Sequence, residues 1–153
     1  MTTKDRDLLM KDLCGRLPYK VRCKCVNGLG GGETEKGVLK YVGNCYGVIS
    51  NYYEDVPLHS GFVNNVFYPI ENVKPYLRPK SSMTEEEKVE YDQLCYNCQE
   101  QDSVDYNITQ LDRTQLIYVI DWLNAHHFDY RGLIEKGLAL EAPKDIYEKI
   151  KKL

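Results

Sequence analysis

The N-terminal half of the chain is constrained by a series of short strand-like segments with turn residues between them. Val21, Cys23 and Cys25 alternate with Arg22 and Lys24, which is the period of two expected of a strand with one buried face. Similar segments follow at 37–42, 46–53 and 62–68, with a short last candidate at 70–73. Four or five short strands separated by turns predict a curled antiparallel sheet or a small SH3-like barrel.

The rest of the sequence carries helical patterns. Thr84 precedes three glutamates, of which Glu87 stands where it completes a capping box, so a helix is predicted to begin there. Asp129 is a suitable cap for a short helix that Gly137 would close. Helices are predicted over 3–13, 84–98, 112–126 and 129–137 and from 143 onward.

These patterns together predict one α+β domain over residues 1–153. Residues 1–80 are expected to supply the sheet or barrel and a short N-terminal helix. Residues 81–153 are expected to supply three or four helices that pack on the sheet. A hydrophobic content of 42% is sufficient for a core of this kind.

Charge and apolar content limit the expected location of the protein and the partners that it can bind. With 20 basic and 23 acidic residues, the net charge of −3 argues against a broad electrostatic grip on nucleic acid. No apolar run approaches the roughly 20 residues of a membrane-spanning helix, and the charged N-terminal residues lack a signal-peptide pattern. We therefore expect a cytoplasmic protein without a membrane partner, whose six cysteines are reduced thiols.

Two cysteine pairs are candidates for a zinc site. Cys95 and Cys98 form a Cys-x-x-Cys pair, and Cys23 and Cys25 a Cys-x-Cys pair, so four thiolates are available. Each pair also lies on the predicted apolar face of its helix or strand, and free cysteine is among the most buried residue types. Burial in the core is therefore the favoured interpretation, and no cofactor is predicted.

The segment from Asp121 to Gly137 contains the only tryptophan and two of the three histidines. A catalytic hypothesis makes His126 or His127 a general base beside Asp121 or Asp129. Adjacent residues on a helix point about 100° apart, however, so both imidazoles cannot easily face one centre. The favoured interpretation is a helix-ending histidine that packs on its neighbours.

The same segment offers candidate surface contacts. Trp122 and Tyr130 are aromatic residues of the kind enriched at binding surfaces. Arg131 is a candidate for binding a carboxylate or phosphate. An ion pair between Arg131 and Glu135, one turn later in the predicted helix, is the favoured alternative.

One basic stretch, Lys74-Pro-Tyr-Leu-Arg-Pro-Lys80, also contains an aromatic residue. Lys74, Tyr76 and Arg78 are therefore binding candidates. With cations on the predicted strands they could form a face for nucleic acid, on which cations meet phosphates and tyrosine stacks on bases; those cations are Arg22, Lys24 and Lys40. An extended connector that places Tyr76 and Leu77 against the sheet is the alternative, and the overall acidity favours it.

Three segments resemble one family of proteins. They are Leu8-Leu-Met-Lys-Asp-Leu-Cys-Gly-Arg-Leu-Pro-Tyr19, Lys74-Pro-Tyr-Leu-Arg-Pro with Ser81-Ser-Met-Thr-Glu-Glu-Glu87, and the stretch from Asp121 to Pro143. The chain is similar here to an uncharacterised family of small proteins from prophages and mobile elements of gut bacteria. The resemblance implies a phage-borne or element-borne cytoplasmic protein, and it implies no activity, cofactor or site.

The leading functional hypothesis is a non-enzymatic binding or adaptor protein of a phage or mobile element. Its partner would be a host or phage protein or a nucleic-acid complex. One alternative is a binder of a small, nucleotide-like ligand that acts against host defence. The other is a small hydrolase or nuclease that uses the histidines and aspartates named above. An enzyme is the less favoured class, and the oligomeric state is left open.

Overall fold

The computed structural model describes residues 1–25, 35–43, 46–50, 65–97, 113–144 and 146–147. These residues form an α+β fold, as predicted. The helices are α1 (Thr3–Arg16), α2 (Glu85–Asn97) and α3 (Arg113–Ala125). The strands are β1 (Arg22–Cys25), β2 (Glu35–Val42), β3 (Tyr46–Ser50), β4 (Asn65–Pro69), β5 (Val73–Leu77) and β6 (Leu140–Glu141).

The described strands form one sheet in the order β4-β3-β2-β1-β5-β6. The first five are antiparallel, and β6 pairs in parallel with β5. β1 pairs with both β2 and β5, so it lies in the interior of the sheet, and β4 and β6 lie at its edges. The prediction of a small antiparallel sheet in the N-terminal half is confirmed.

The last strand of that half lies later than predicted. Residues 70–72 form a 3-10 turn, and β5 begins at Val73. The basic stretch from Lys74 is therefore not a connector but a strand, in which Cys23 lies opposite Pro75. Proline cannot donate to a ladder, and it is tolerated at this position because β6 pairs only with Tyr76 and Leu77.

The core lies between α1 and the inner face of the sheet. The capping box between Thr2 and Asp5 starts α1, and Leu9 and Leu13 recur at helical spacing and are buried. The inner face is formed by alternate strand residues that are almost fully buried, namely Val21, Cys23, Cys25, Leu39, Val73 and Leu77. Since these residues repeat with a period of two, the residues between them face outward.

Helix α1 continues to Arg16, beyond its predicted end at residue 13. It passes through Gly15, where α1 approaches α3 closely. A Cβ atom at that position would lie 3.3 Å from Nδ2 of Asn124, so an alanine there would require the Asn124 side chain to shift by a few tenths of an ångström.

The C-terminal half contains two described α-helices instead of three or four. The predicted capping box of α2 is present, with the Glu87 carboxylate accepting from the Thr84 N–H at 2.9 Å and the Thr84 hydroxyl accepting from the Glu87 N–H at 3.1 Å. Helix α3 buries Val119 and Leu123 against Phe128. The terminal helix predicted from 143 falls mostly outside the described residues, and 144, 146 and 147 lie in turns.

The helix predicted over 129–137 is a series of turns. Asp129 acts as the predicted cap, because its carboxylate accepts from the N–H groups of Leu133 at 2.9 Å and Ile134 at 2.8 Å. Gly132 and Gly137 have φ of 67° and 68°, and these left-handed residues interrupt the helical backbone.

A buried ion pair joins α1 to this turn segment. Asp12 and Arg16 are both fully buried, and Arg16 donates to the Asp12 carboxylate from Nε at 2.6 Å and from Nη2 at 3.1 Å. The same Nη2 donates to the carbonyl of Phe128 at 2.8 Å. Nε of Arg131 lies 3.4 Å from the Asp12 carboxylate. One carboxylate therefore connects two distant parts of the chain.

We expect Asp12→Asn to lower the free energy of unfolding by about 3–5 kcal/mol, because it leaves Arg16 buried without its counter-charge. Urea denaturation at neutral pH would measure the change. Lys88→Gln is a matched control, since Lys88 forms an exposed pair with Glu85 at 3.7 Å and should change stability by less than about 0.5 kcal/mol. Equal effects of the two variants would contradict the assignment.

Candidate functional site

Some of the residues that the sequence singles out lie on two surfaces, and the others have structural contacts elsewhere. The first surface is a shallow cleft of about 190 Å³, where the segment that follows α3 returns to the end of β5. There the N–H of Arg78 donates to the carbonyl of His127 at 2.8 Å, and the N–H of Asp129 donates to the carbonyl of Arg78 at 2.7 Å. The cleft is lined by Pro18, Tyr19, Lys20, Arg78, Ala125, His126, His127 and Tyr147.

His126 is held by α3. Its Nδ1 lies 2.9 Å from the carbonyl oxygen of Trp122, so the proton is on that nitrogen. The imidazole stacks on the Trp122 ring with centroids 4.1 Å apart. Trp122 is half-buried and its Nε1 donates to Glu90 at 3.4 Å. Both residues thus have structural contacts, which agrees with the packing interpretation of the helix-ending histidine.

His127 has an unusual environment. Its φ of 59° is left-handed, which is uncommon outside glycine. The side chain is 5% exposed and stacks on Tyr147 with centroids 3.8 Å apart, and its Nδ1 has no hydrogen-bond partner among the described residues. Burial, aided by the nearby Arg16 charge, lowers the pKa of His127 to about 3. The imidazole is therefore neutral at physiological pH.

The predicted carboxylate partners are engaged elsewhere. Asp129 caps the turn at Leu133, and Asp121 lies near Tyr19, whose pKa is raised by burial and by the Asp121 charge. Among the described residues, neither His126 nor His127 has a hydrogen bond to a carboxylate. Within this part of the chain the cleft therefore has no oriented imidazole–carboxylate pair, which the hydrolase hypothesis requires.

Arg78 and Tyr76 are also structural. The Arg78 guanidinium donates to both carboxylate oxygens of Glu87, at 2.8 and 2.7 Å. This pairing is the main reason that the pKa of Glu87 falls to about 2. The guanidinium also lies 4.3 Å from the Phe128 ring centroid. Tyr76 is only 7% exposed, so it offers no ring face for stacking.

Arg131 pairs with a different carboxylate from the one predicted. It lies against Asp12 and not against Glu135, because the helix that would have placed Glu135 one turn away is absent. The Tyr130 ring lies below two guanidinium groups, with Arg16 at 5.4 Å and Arg131 at 4.9 Å from its centroid. Tyr130 and Arg131 thus help to hold α1 against the turn segment.

The described cysteines of the two candidate zinc pairs are buried or half-buried, as expected for core residues. Cys23 and Cys25 are fully buried, and burial raises the pKa of the Cys23 thiol well above its usual range. Cys95 is half-buried, and Cys98 lies outside the described residues. The part of the chain that the structure describes contains no group of three or more side chains placed to hold a metal ion.

The second surface is the outer face of the sheet. Arg22, Lys24, Lys40 and Lys74 lie there, and we call these four residues the basic face. In the ladder, Lys24 is directly opposite Lys74 on one side and directly opposite Lys36 on the other. Three lysine positions thus form one row across the adjacent strands β2, β1 and β5.

Lysines directly opposite one another are unfavourable in a sheet. Directly opposed side chains have Cβ atoms about 4.5–5.5 Å apart, and like charges at that distance are destabilising. Within the described residues, neither Lys24 nor Lys74 has a carboxylate within ion-pair distance. The arrangement costs stability in the isolated protein, which an anionic partner would offset.

Sequence reasoning named every member of the basic face but missed the row. Lys24 and Lys74 are 50 positions apart, and their juxtaposition depends on the register of β1 with β5. The alternation of charge in β1 was the available signal, because it places Arg22 and Lys24 outward. That alternation does not indicate which strand pairs with β1 or in which register.

The chain matches no protein-family model, no curated protein and no solved structure. None of the helices in the described ranges combines the length and apolar character that crossing a bilayer requires.

We expect the stability of the protein to rise with pH between about 3 and 6.5 on account of His127. In this window the unfolded imidazole binds a proton that the folded one does not, and each such proton contributes up to about 1.4 kcal/mol per pH unit. His127→Asn should flatten the profile, since asparagine tolerates the left-handed backbone. Unfolding by urea at several pH values measures this, and an unchanged slope in the variant would refute it.

Proposed function

We propose that this protein is a non-enzymatic binding protein whose basic face holds the phosphate backbone of a nucleic acid. The observation that carries the proposal is the placement of Lys24 between two other lysine positions. A row of like charges is unfavourable in a free sheet, and a polyanion converts it into a favourable one.

For binding to nucleic acid, the charge at the basic face matters more than the net charge of the chain. The chain has a net charge of −3, which opposes non-specific association with nucleic acid at long range. Exposed charges more than about 10 Å away are largely screened at moderate salt. A phosphate at the basic face therefore interacts chiefly with the lysines beside it.

The geometry of the strand suits a repeating polymer. Alternate residues of one strand, such as Arg22 and Lys24, are about 6.6–6.8 Å apart and share one face. Lysine is a flexible point charge without the bidentate geometry that reads base edges. The expected mode is backbone binding with little dependence on sequence.

The alternatives have less support. The cleft contains Tyr19, Tyr147 and Arg78, but its volume of about 190 Å³ is below the roughly 300–1,000 Å³ usual for a small-molecule site. For a protein partner, the exposed Ile117 and Tyr118 at the start of α3 supply apolar surface without specifying its chemistry. The basic face does specify a chemistry, and for that reason we propose a nucleic acid. The phage or mobile-element setting and the cytoplasmic location stay predictions.

We expect Lys24→Gln and Lys74→Gln each to weaken binding of single-stranded and duplex oligonucleotides. Each should also reduce the slope of log K against log salt by about 1, because one phosphate contact is lost. Fluorescence anisotropy over a series of salt concentrations provides the measurement. Lys88→Gln on α2 makes the same change in net charge away from the sheet and should leave the slope unchanged.

Stability separates a functional from a structural role for Lys24. Since Lys24→Gln relieves repulsion with Lys74, the free energy of unfolding should stay the same or rise. The proposal fails if the wild-type protein binds no oligonucleotide at low salt. It also fails if the Lys88 and Lys24 variants lose equal affinity.

A further inference from the structure

A β-bulge at Lys40 changes the direction of side chains at one end of the basic face. Leu39 lies opposite Ile49, whereas Tyr41 lies opposite Val48, so Lys40 is an extra residue in β2. Leu39 is buried and Val42 packs against the core. Lys40 and Tyr41 between them are both exposed. Without the bulge, strand alternation would turn the Tyr41 ring towards the core.

Tyr41 is 57% exposed, and its ring lies beside the backbone of Gly43. A Cβ atom at Gly43 would lie 2.9 Å from Cε1 and 3.4 Å from the hydroxyl oxygen of Tyr41. One edge of the ring therefore lies close to the backbone at Gly43, and an alanine there would require the Tyr41 side chain to shift. The rest of the ring is open to solvent, where a planar group can stack on it.

We infer that Tyr41 is a stacking platform for an unpaired base, so that the partner of the basic face is a single-stranded nucleic acid. This inference rests on the proposed function. Aromatic side chains beside a basic groove stack successive bases of a single strand, and every base has a π-face to offer. The bases of a duplex are already stacked on one another, so they cannot reach the ring.

The position of the platform fits a strand that follows the basic face. The ring follows Lys40 directly in β2. The N–H of Leu39 donates to the carbonyl of Val21 at 3.0 Å, so β2 stays beside β1 up to the bulge. A single strand with a phosphate at Lys24 can thus turn a base towards Tyr41 at the adjacent edge of the same face.

The test compares an oligothymidine of about 16 nucleotides with a duplex of equal length at one fixed salt concentration. Tyr41→Leu should bind the single strand roughly tenfold more weakly, which is within the measured range for loss of one base stack. Its duplex affinity and its salt dependence should be unchanged, because no cation is removed. Tyr41→Phe keeps the ring and should retain full affinity.

Gly43→Ala provides a second, independent variant. It keeps Tyr41 but requires its ring to shift away from residue 43, so the preference for single strands should fall while duplex binding stays the same. Thermal melting of each variant checks that the fold is retained. Because Tyr41 is exposed, Tyr41→Leu should melt within a few degrees of the wild type.

The outcomes separate this inference from the function on which it rests. If the wild-type protein binds single strand and duplex, and Tyr41→Leu weakens neither or both equally, the platform is refuted and the basic face stands. If Lys24→Gln weakens both nucleic acids while Tyr41→Leu weakens only the single strand, both are supported. If the wild-type protein binds neither nucleic acid, both are refuted.

Discussion

The buried carboxylate of Asp12 is the contact on which the arrangement of this molecule depends. It accepts two hydrogen bonds from Arg16 and lies against Arg131, while Arg16 also donates to the carbonyl of Phe128. Burying these charges carries a desolvation cost that the ion pair only partly offsets. The pair acts mainly by positioning α1 against the segment that follows α3. In that segment Phe128 pairs with Arg78 and extends the sheet.

The position of α1 determines which face of the sheet is covered. With α1 covering the inner face of the sheet, Lys74 is exposed and Lys24 half-buried on the outer face, whereas Tyr76 beside them is buried. The protein is acidic as a whole, but three lysine positions form a row on this face, where Lys24 has one on each side. The net charge of the chain therefore does not describe the charge of this face.

The histidine-containing segment shows why a dense group of polar residues need not be an active site. His126 and Trp122 stack on each other, Asp129 caps a turn, and Arg131 pairs with Asp12. Each of these residues has a stacking, capping or ion-pair contact within the fold that accounts for its position. The left-handed backbone of His127 and the bond between Arg78 and Glu87 depend on packing, so the local pattern of residues could not reveal them.

The sequence by itself determined the α+β class, the inward position of Cys23 and Cys25, and the caps at Thr84 and Asp129, because each depends on residues a few positions apart. Only the tertiary structure decided that the stretch from Lys74 is a strand, that Arg131 meets Asp12, and that Lys24 lies opposite Lys74. These features join residues far apart in the chain. Their geometry follows from strand register and from the packing of α1, which no local periodicity encodes.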